Sequence, residues 1–112
     1  MRALARRGPI ERGPVLTVGN LSLDLATHTA RRGDVEILLS TKEFQLLEVL
    51  IRRPGQVLSR YDLLEGAWEM GYENRSNVVE VYVRYLREKI DRPFGLESIE
   101  TVRGAGYRLR ED

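Results

Sequence analysis

The 112-residue chain has no cysteine and only one histidine, one tryptophan and two phenylalanines. Without cysteine there is neither a disulfide scaffold nor a thiolate metal site, and a reducing, cytoplasmic setting is the expectation. The lone His28 stands in a polar stretch without an HxxxH partner, so imidazole chemistry is not expected from it. No apolar run approaches the roughly 18–20 residues of a membrane-spanning helix, and no signal-peptide core follows Met1. Internal repeats and low-complexity segments are missing, as are a nucleophile elbow and a P-loop. Asp62 and Glu65 share a helix face, but they are first-turn carboxylates of the kind a helix dipole favours. The chain is expected to be no enzyme and to hold no cofactor or metal.

Net charge is nearly absent too, at +1, yet it is unevenly spread. Residues 1–14 hold four arginines and one glutamate, residues 15–74 six basic and nine acidic side chains, and residues 75–110 eight basic and five acidic. Positive charge gathered in the C-terminal third points to a polyanionic partner; an ordinary solvated face is the alternative.

What is present is a clear change of period. MRALARRGPIERGP, residues 1–14, is arginine-rich, broken by Pro9, Gly13 and Pro14, and reads as a linker before a domain at 15–112. VLTV at 15–18, the alternation Leu21, Leu23, Leu25, and the pair THTARR and VEILL around Gly33-Asp34 predict an antiparallel meander of three or four strands. At Ser40 the period becomes helical. Ser40 with Glu43, and Ser59 with Asp62, form capping boxes. The first opens a helix with Phe44, Leu46, Leu47, Leu50 and Ile51 on its stripe, stopped at Pro54-Gly55. The second opens a helix carrying Leu63, Leu64, Ala67 and Trp68. After the polar loop MGYENRSN, a third helix is predicted over about 76–90, ending at Asp91-Arg92-Pro93. Ser98–Val102 and Gly106–Arg110 then form a hairpin.

The third helix carries the most information. Val79, Val83, Leu86 and Ile90 make its buried stripe, which turns Asn77, Val81, Arg84, Tyr85 and Glu88 outward, with Tyr82 and Arg87 beside them. An amide, a guanidinium, a phenol and an apolar group can read base edges in a major groove. Alternatively, Arg84 pairs with Glu80 and Glu88 at i,i+4 on a solvated helix. In the hairpin, Gly104 and Gly106 permit a tight turn, Tyr107 and Leu109 face inward, and Arg103 is left at the tip. GAG lacks the third glycine and the following helix of a nucleotide fingerprint.

LSTKEFQLLEVL at 39–50, PGQVLSRYDLLEGAW at 54–68, NVVEVYVRYLREKI at 77–90 and TVRGAGY at 101–107 together resemble the effector domain of bacterial OmpR/PhoB-type response regulators. The resemblance implies an α+β winged helix-turn-helix: an N-terminal antiparallel four-stranded sheet, three helices and a C-terminal β-hairpin wing. It implies sequence-specific binding of double-stranded DNA and control of transcription within a two-component system, often by two copies on directly repeated half-sites. Position by position, it places Asn77, Val81, Arg84 and Tyr85 at bases. Trp68, Tyr82, Arg87 and Thr101 fall at the DNA backbone, joined by Arg75 and Arg60, and Arg103 falls in the minor groove. Glu69, Met70, Gly71, Tyr72, Glu73 and Asn74, with Arg75, match a loop that touches RNA polymerase in some relatives. Glu69 stands where a glycine commonly follows the tryptophan, and Tyr85 where some relatives carry arginine. RALARRG at 2–8 resembles the last turns of a receiver-domain helix, which makes an N-terminal receiver domain an expected partner. Two other readings stay open. The module is a winged helix that docks a protein, or it belongs to a membrane-tethered or multidomain activator.

Overall fold

Four short strands, β1 (Val15–Val18), β2 (Leu21–Asp24), β3 (Thr29–Arg32) and β4 (Val35–Ile37), form an antiparallel sheet in sequence order. The computed structural model describes residues 15–68 and 77–110. The expected linker at 1–14, the loop at 69–74, Arg75 and the helix start at Ser76 lie outside the described residues. The sheet's register sets Leu16 opposite Leu23 and Val18 opposite Leu21, so these side chains share the inward face. Strand β2 stops one residue before Leu25. The Asp24 carboxylate accepts from the Ala26 and Thr27 amides and closes a turn there. On β4, Ile37 is buried but Val35 is half exposed at the sheet edge, so the inward alternation predicted for this strand fails at its first residue.

Both capping boxes form. Ser40 Oγ accepts from the Glu43 amide while the Glu43 carboxylate accepts from the Ser40 amide, and Ser59 and Asp62 repeat the arrangement. Such a cap contributes about 1 kcal/mol. They open α1 (Thr41–Ile51) and α2 (Arg60–Ala67). Gly66 lets these helices cross closely, since a Cβ there would stand 2.7 Å from Val49 Cγ2. Helix α3 is α-helical over Val78–Leu86, continues as a π-helical turn over Arg87–Asp91, and ends in a 3-10 turn, Arg92–Phe94. The predicted stripe of Val79, Val83, Leu86 and Ile90 is buried throughout and packs with Phe44, Leu46, Leu47, Leu50 and Leu63 into one core.

Strands β5 (Ile99–Val102) and β6 (Gly106–Leu109) form the final hairpin. Arg103 and Gly104 occupy its turn, where the Ala105 amide donates to Val102 O. With φ +77° at Gly104, this is a type II turn. The segment before α2 lies along the outer edge of β6. The Leu58 and Tyr107 amides donate to each other's carbonyls, and the Gly55 amide donates to Leu109 O. Gly106 is required by this approach, because a Cβ there would stand 2.0 Å from Leu58 O.

Candidate nucleic-acid interface

Because the apolar stripe of α3 fixes its rotation, the opposite face is left to solvent. Asn77, Glu80, Arg84 and Glu88 are exposed, Tyr85 is 38% exposed, and Val81 and Tyr82 are partly covered. Asn77 caps α3 by position, yet its side chain makes no capping bond, so its amide is available. Arg84 lies with its guanidinium carbon 5.9 Å from the centre of the Tyr85 ring. Neither Glu80 nor Glu88 pairs with it, which removes the i,i+4 alternative. Glu80 instead meets Arg60 at the start of α2, at 3.2 Å.

An aromatic ledge supports this face. Tyr85 meets Tyr82 edge-on at 5.4 Å between centroids, and Tyr82 meets Trp68 edge-on at 5.5 Å. Edge-to-face pairs are each worth about 0.5–1.5 kcal/mol beyond area burial. Lys42 lies over Trp68 at 5.2 Å while its ammonium donates to Ala67 O at the end of α2. Trp68 itself is buried, so its chief visible contribution is to brace Tyr82.

Arg87 and Thr101, which the resemblance places at the backbone, are brought into contact. The Arg87 guanidinium donates to Thr101 Oγ1 at 2.8 Å and, from Nε and Nη2, to Ile99 O. The last turn of α3 and the base of the hairpin thus share one cationic edge. Arg103, at the hairpin tip, is exposed and makes no hydrogen bond or ion pair among the described residues. Arg108 is tied across the hairpin to Glu100 at 2.9 Å.

Three residues at this face are missing from the sequence-derived set: Glu80, Tyr107 and Lys42. The Tyr107 phenol is held above its ordinary value, first by burial and next by the Glu80 carboxylate; Arg87 and Arg60 oppose the shift. Glu80 therefore ties α2 to α3 through Arg60 and acts electrostatically on the hairpin's Tyr107. Its only sequence signal is a carboxylate on a face otherwise suited to binding an anion.

A four-stranded sheet, three helices and a terminal hairpin beside the exposed face of the third helix define a winged helix-turn-helix domain. Residues 34–109 match the family model for "Transcriptional regulatory protein, C terminal", and the chain belongs to this family. Over 112 residues it is 63% identical to the transcriptional regulatory protein TcrA of Mycobacterium tuberculosis, covering all of this chain and 44% of TcrA. Response regulator MprA of Mycobacterium sp. is 44% identical over 114 residues, covering 99% of this chain and 50% of MprA. The DNA-binding domain of Klebsiella pneumoniae RstA, solved in complex with the RstA box, superposes with a TM-score of 0.78 at 28% identity. That match covers 89% of this chain and all of the RstA domain. The chain spans about half the length of these curated relatives.

Proposed function

We propose that this domain binds double-stranded DNA sequence-specifically and controls transcription as the effector part of a two-component response regulator. Helix α3 lies in the major groove, with Asn77, Val81, Arg84 and Tyr85 toward base edges. The hairpin reaches the adjacent backbone through Thr101, beside Arg87 of the last turn of α3, and the minor groove through Arg103. Tyr82, Trp68, Arg60 and Arg75 complete the backbone contacts. The observation that carries this reading is an arginine and an asparagine with no hydrogen-bond acceptor among the described residues on the outward face of α3, beside the cationic edge that Arg87 shares with the base of the hairpin.

Docking of a protein on the same face is disfavoured. Among the described residues of α3, Tyr85 is the only large hydrophobic that is exposed, and a protein interface usually centres on several apolar anchors. The wider assembly follows from the same reading. A second copy occupies a directly repeated half-site, the loop at 69–75 meets RNA polymerase, and a receiver domain precedes the linker at 1–14 in a cytoplasmic protein.

The test is selection of duplexes from a random pool, followed by titration of the selected site. Wild-type affinity is expected to fall steeply with salt, with a slope near −0.9 per neutralised phosphate. Arg84→Ala is expected to cost about 1–3 kcal/mol on that site and to relax preference at one base position. No enrichment of any sequence over the random pool would defeat the proposal.

A further inference from the structure

The π-helical turn that ends α3 carries three polar residues at alternate positions, and each reaches a different element. Lys89 donates to Glu43 Oε1 on α1 at 2.6 Å. Arg87 donates to Ile99 O at the start of β5. Asp91 faces two ways. Its Oδ1 accepts from Arg32 Nη2 on β3 at 3.2 Å, and its Oδ2 accepts from the Ser98 and Ile99 amides at 2.9 and 3.3 Å.

The two amides matter because of where β5 lies. Strand β6 is flanked on its far side by the Leu58 bridge, whereas β5 is an edge strand. The backbone N–H and C=O of Ile99 that point away from β6 are both taken by the last turn of α3, the first by Asp91 and the second by Arg87. Four residues apart, these side chains grip one residue of the hairpin from both sides, as a neighbouring strand would. Arg32 closes the joint from behind. Its guanidinium also donates to Ile90 O, Asn20 Oδ1 and Ser98 Oγ, and both Arg32 and Asp91 are buried.

A buried ion pair contributes little net stability over an apolar contact of the same volume. Hydrogen bonds of fixed direction do add orientation. The backbone between Asp91 and β5 contains a 3-10 turn and Gly95 in the left-handed region, and it supplies no continuous element that would set the hairpin's angle.

We propose that Asp91 is a positioning residue that fixes the wing relative to the recognition helix, so that Arg84 and Arg103 engage one duplex at a set spacing. The inference rests on the DNA-binding reading above. It predicts that the contribution of Arg103 to affinity depends on Asp91, while that of Arg84 does not.

The experiment is a pair of double-mutant cycles on the full chain with the selected duplex, under conditions where circular dichroism reports a fully folded protein. In the wild-type background, Arg103→Ala is expected to weaken binding about tenfold. In the Asp91→Asn background the same change is expected to cost less than about twofold, with the Arg84→Ala penalty unchanged. Exchange of the Ile99 amide is expected to quicken in Asp91→Asn. A role in folding alone would leave the Arg103 penalty equal in both backgrounds, and that equality overturns the proposal. So does a wild-type wing whose Arg103→Ala costs nothing. Should Asp91→Asn fail to fold, Asp91→Glu takes its place, keeping a charge beside Arg32 while displacing the carboxylate from the Ser98 and Ile99 amides. An undiminished Arg103 penalty there overturns it as well. Failure of the wild type to select any duplex would instead defeat the DNA-binding reading, so the two failures are distinguishable.

Discussion

Arg84 and Arg87 stand one turn apart on the same helix and are used in opposite ways. Arg84 rests on an aromatic ledge and makes no hydrogen bond or ion pair among the described residues. Arg87 donates into the first strand of the hairpin. The switch coincides with the change from α-helical to π-helical winding after Leu86. A π-turn inside an α-helix re-aims the side chains it carries and is frequent at functional sites. Here it separates a stretch whose polar groups face outward from one whose polar groups tie the fold together. Charge counting along the sequence treats the two arginines alike, although one contributes to the external field and the other mainly to internal order.

The contrast can be broken most severely from behind the joint. Arg32→Met leaves the Asp91 carboxylate buried without its counter-ion and is expected to cost about 3–5 kcal/mol. Burial already holds the Arg32 guanidinium below the ordinary arginine value, with Asp91 opposing that shift, so the site's desolvation cost falls on whichever partner remains. Arg84→Ala, whose one polar or cation–ring contact among the described residues is with Tyr85, is expected to change stability by less than about 0.5 kcal/mol. Urea unfolding of both variants checks this. Equal losses would mean that outward and inward cations are not energetically distinct.

The outward half of this comparison was legible in the sequence, and the inward half was not. The i,i+4,i+7 stripe of Val79, Val83 and Leu86 fixes the helix rotation, and once that is fixed Asn77, Arg84 and Tyr85 must face out. Both capping boxes lie within four residues, so they too could be read locally. Arg32 and Asp91 are 59 positions apart, and no local periodicity links them. The signal available was that Arg32 shares a strand face with Ala30, which puts a charge on the inward side of β3. Nothing in the chain says which acidic group meets it. Arg60 with Glu80 escaped for the same reason. Within the helix, Glu80 offers itself to Arg84 at i+4, and only the packing of α2 on α3 supplies the competing partner. The hairpin's attachment to the Leu58 segment was equally hidden, since the glycines of the turn account for themselves without it.

Those glycines sharpen the comparison on a smaller scale. Gly104 and Gly106 are two residues apart and both have positive φ, but a Cβ at Gly104 meets nothing within 4 Å. At Gly106 it would collide with the Leu58 backbone. Gly104→Ala is expected to cost about 1 kcal/mol, the conformational term alone. Gly106→Ala is expected to cost at least about 2 kcal/mol more, because backbone cannot give way as a flexible side chain does. Thermal melts of the two variants separate the terms. A Gly106→Ala protein as stable as Gly104→Ala would show that the hairpin does not depend on its bridge to Leu58.

The smallest expected effect lies where the outward and inward sides meet, at Tyr107. Burial, then the nearby Glu80 carboxylate, raise the pKa of its phenol. A raised folded-state value means that the native protein retains this proton at pH values where the unfolded chain has lost it. The associated stability is therefore fully present below the ordinary tyrosine value of about 10 and is lost as pH rises through the higher folded value. Tyr107→Phe removes the hydroxyl while keeping the ring and is expected to cost at most about 1 kcal/mol at neutral pH. The gap between wild type and variant should stay constant up to about pH 10 and close above it. The two chains differ in this hydroxyl alone, so the difference between the two unfolding curves isolates this proton. A gap that stayed constant well beyond the tyrosine range would mean that the hydroxyl titrates alike in the folded and unfolded chains, so that neither burial nor Glu80 acts on it.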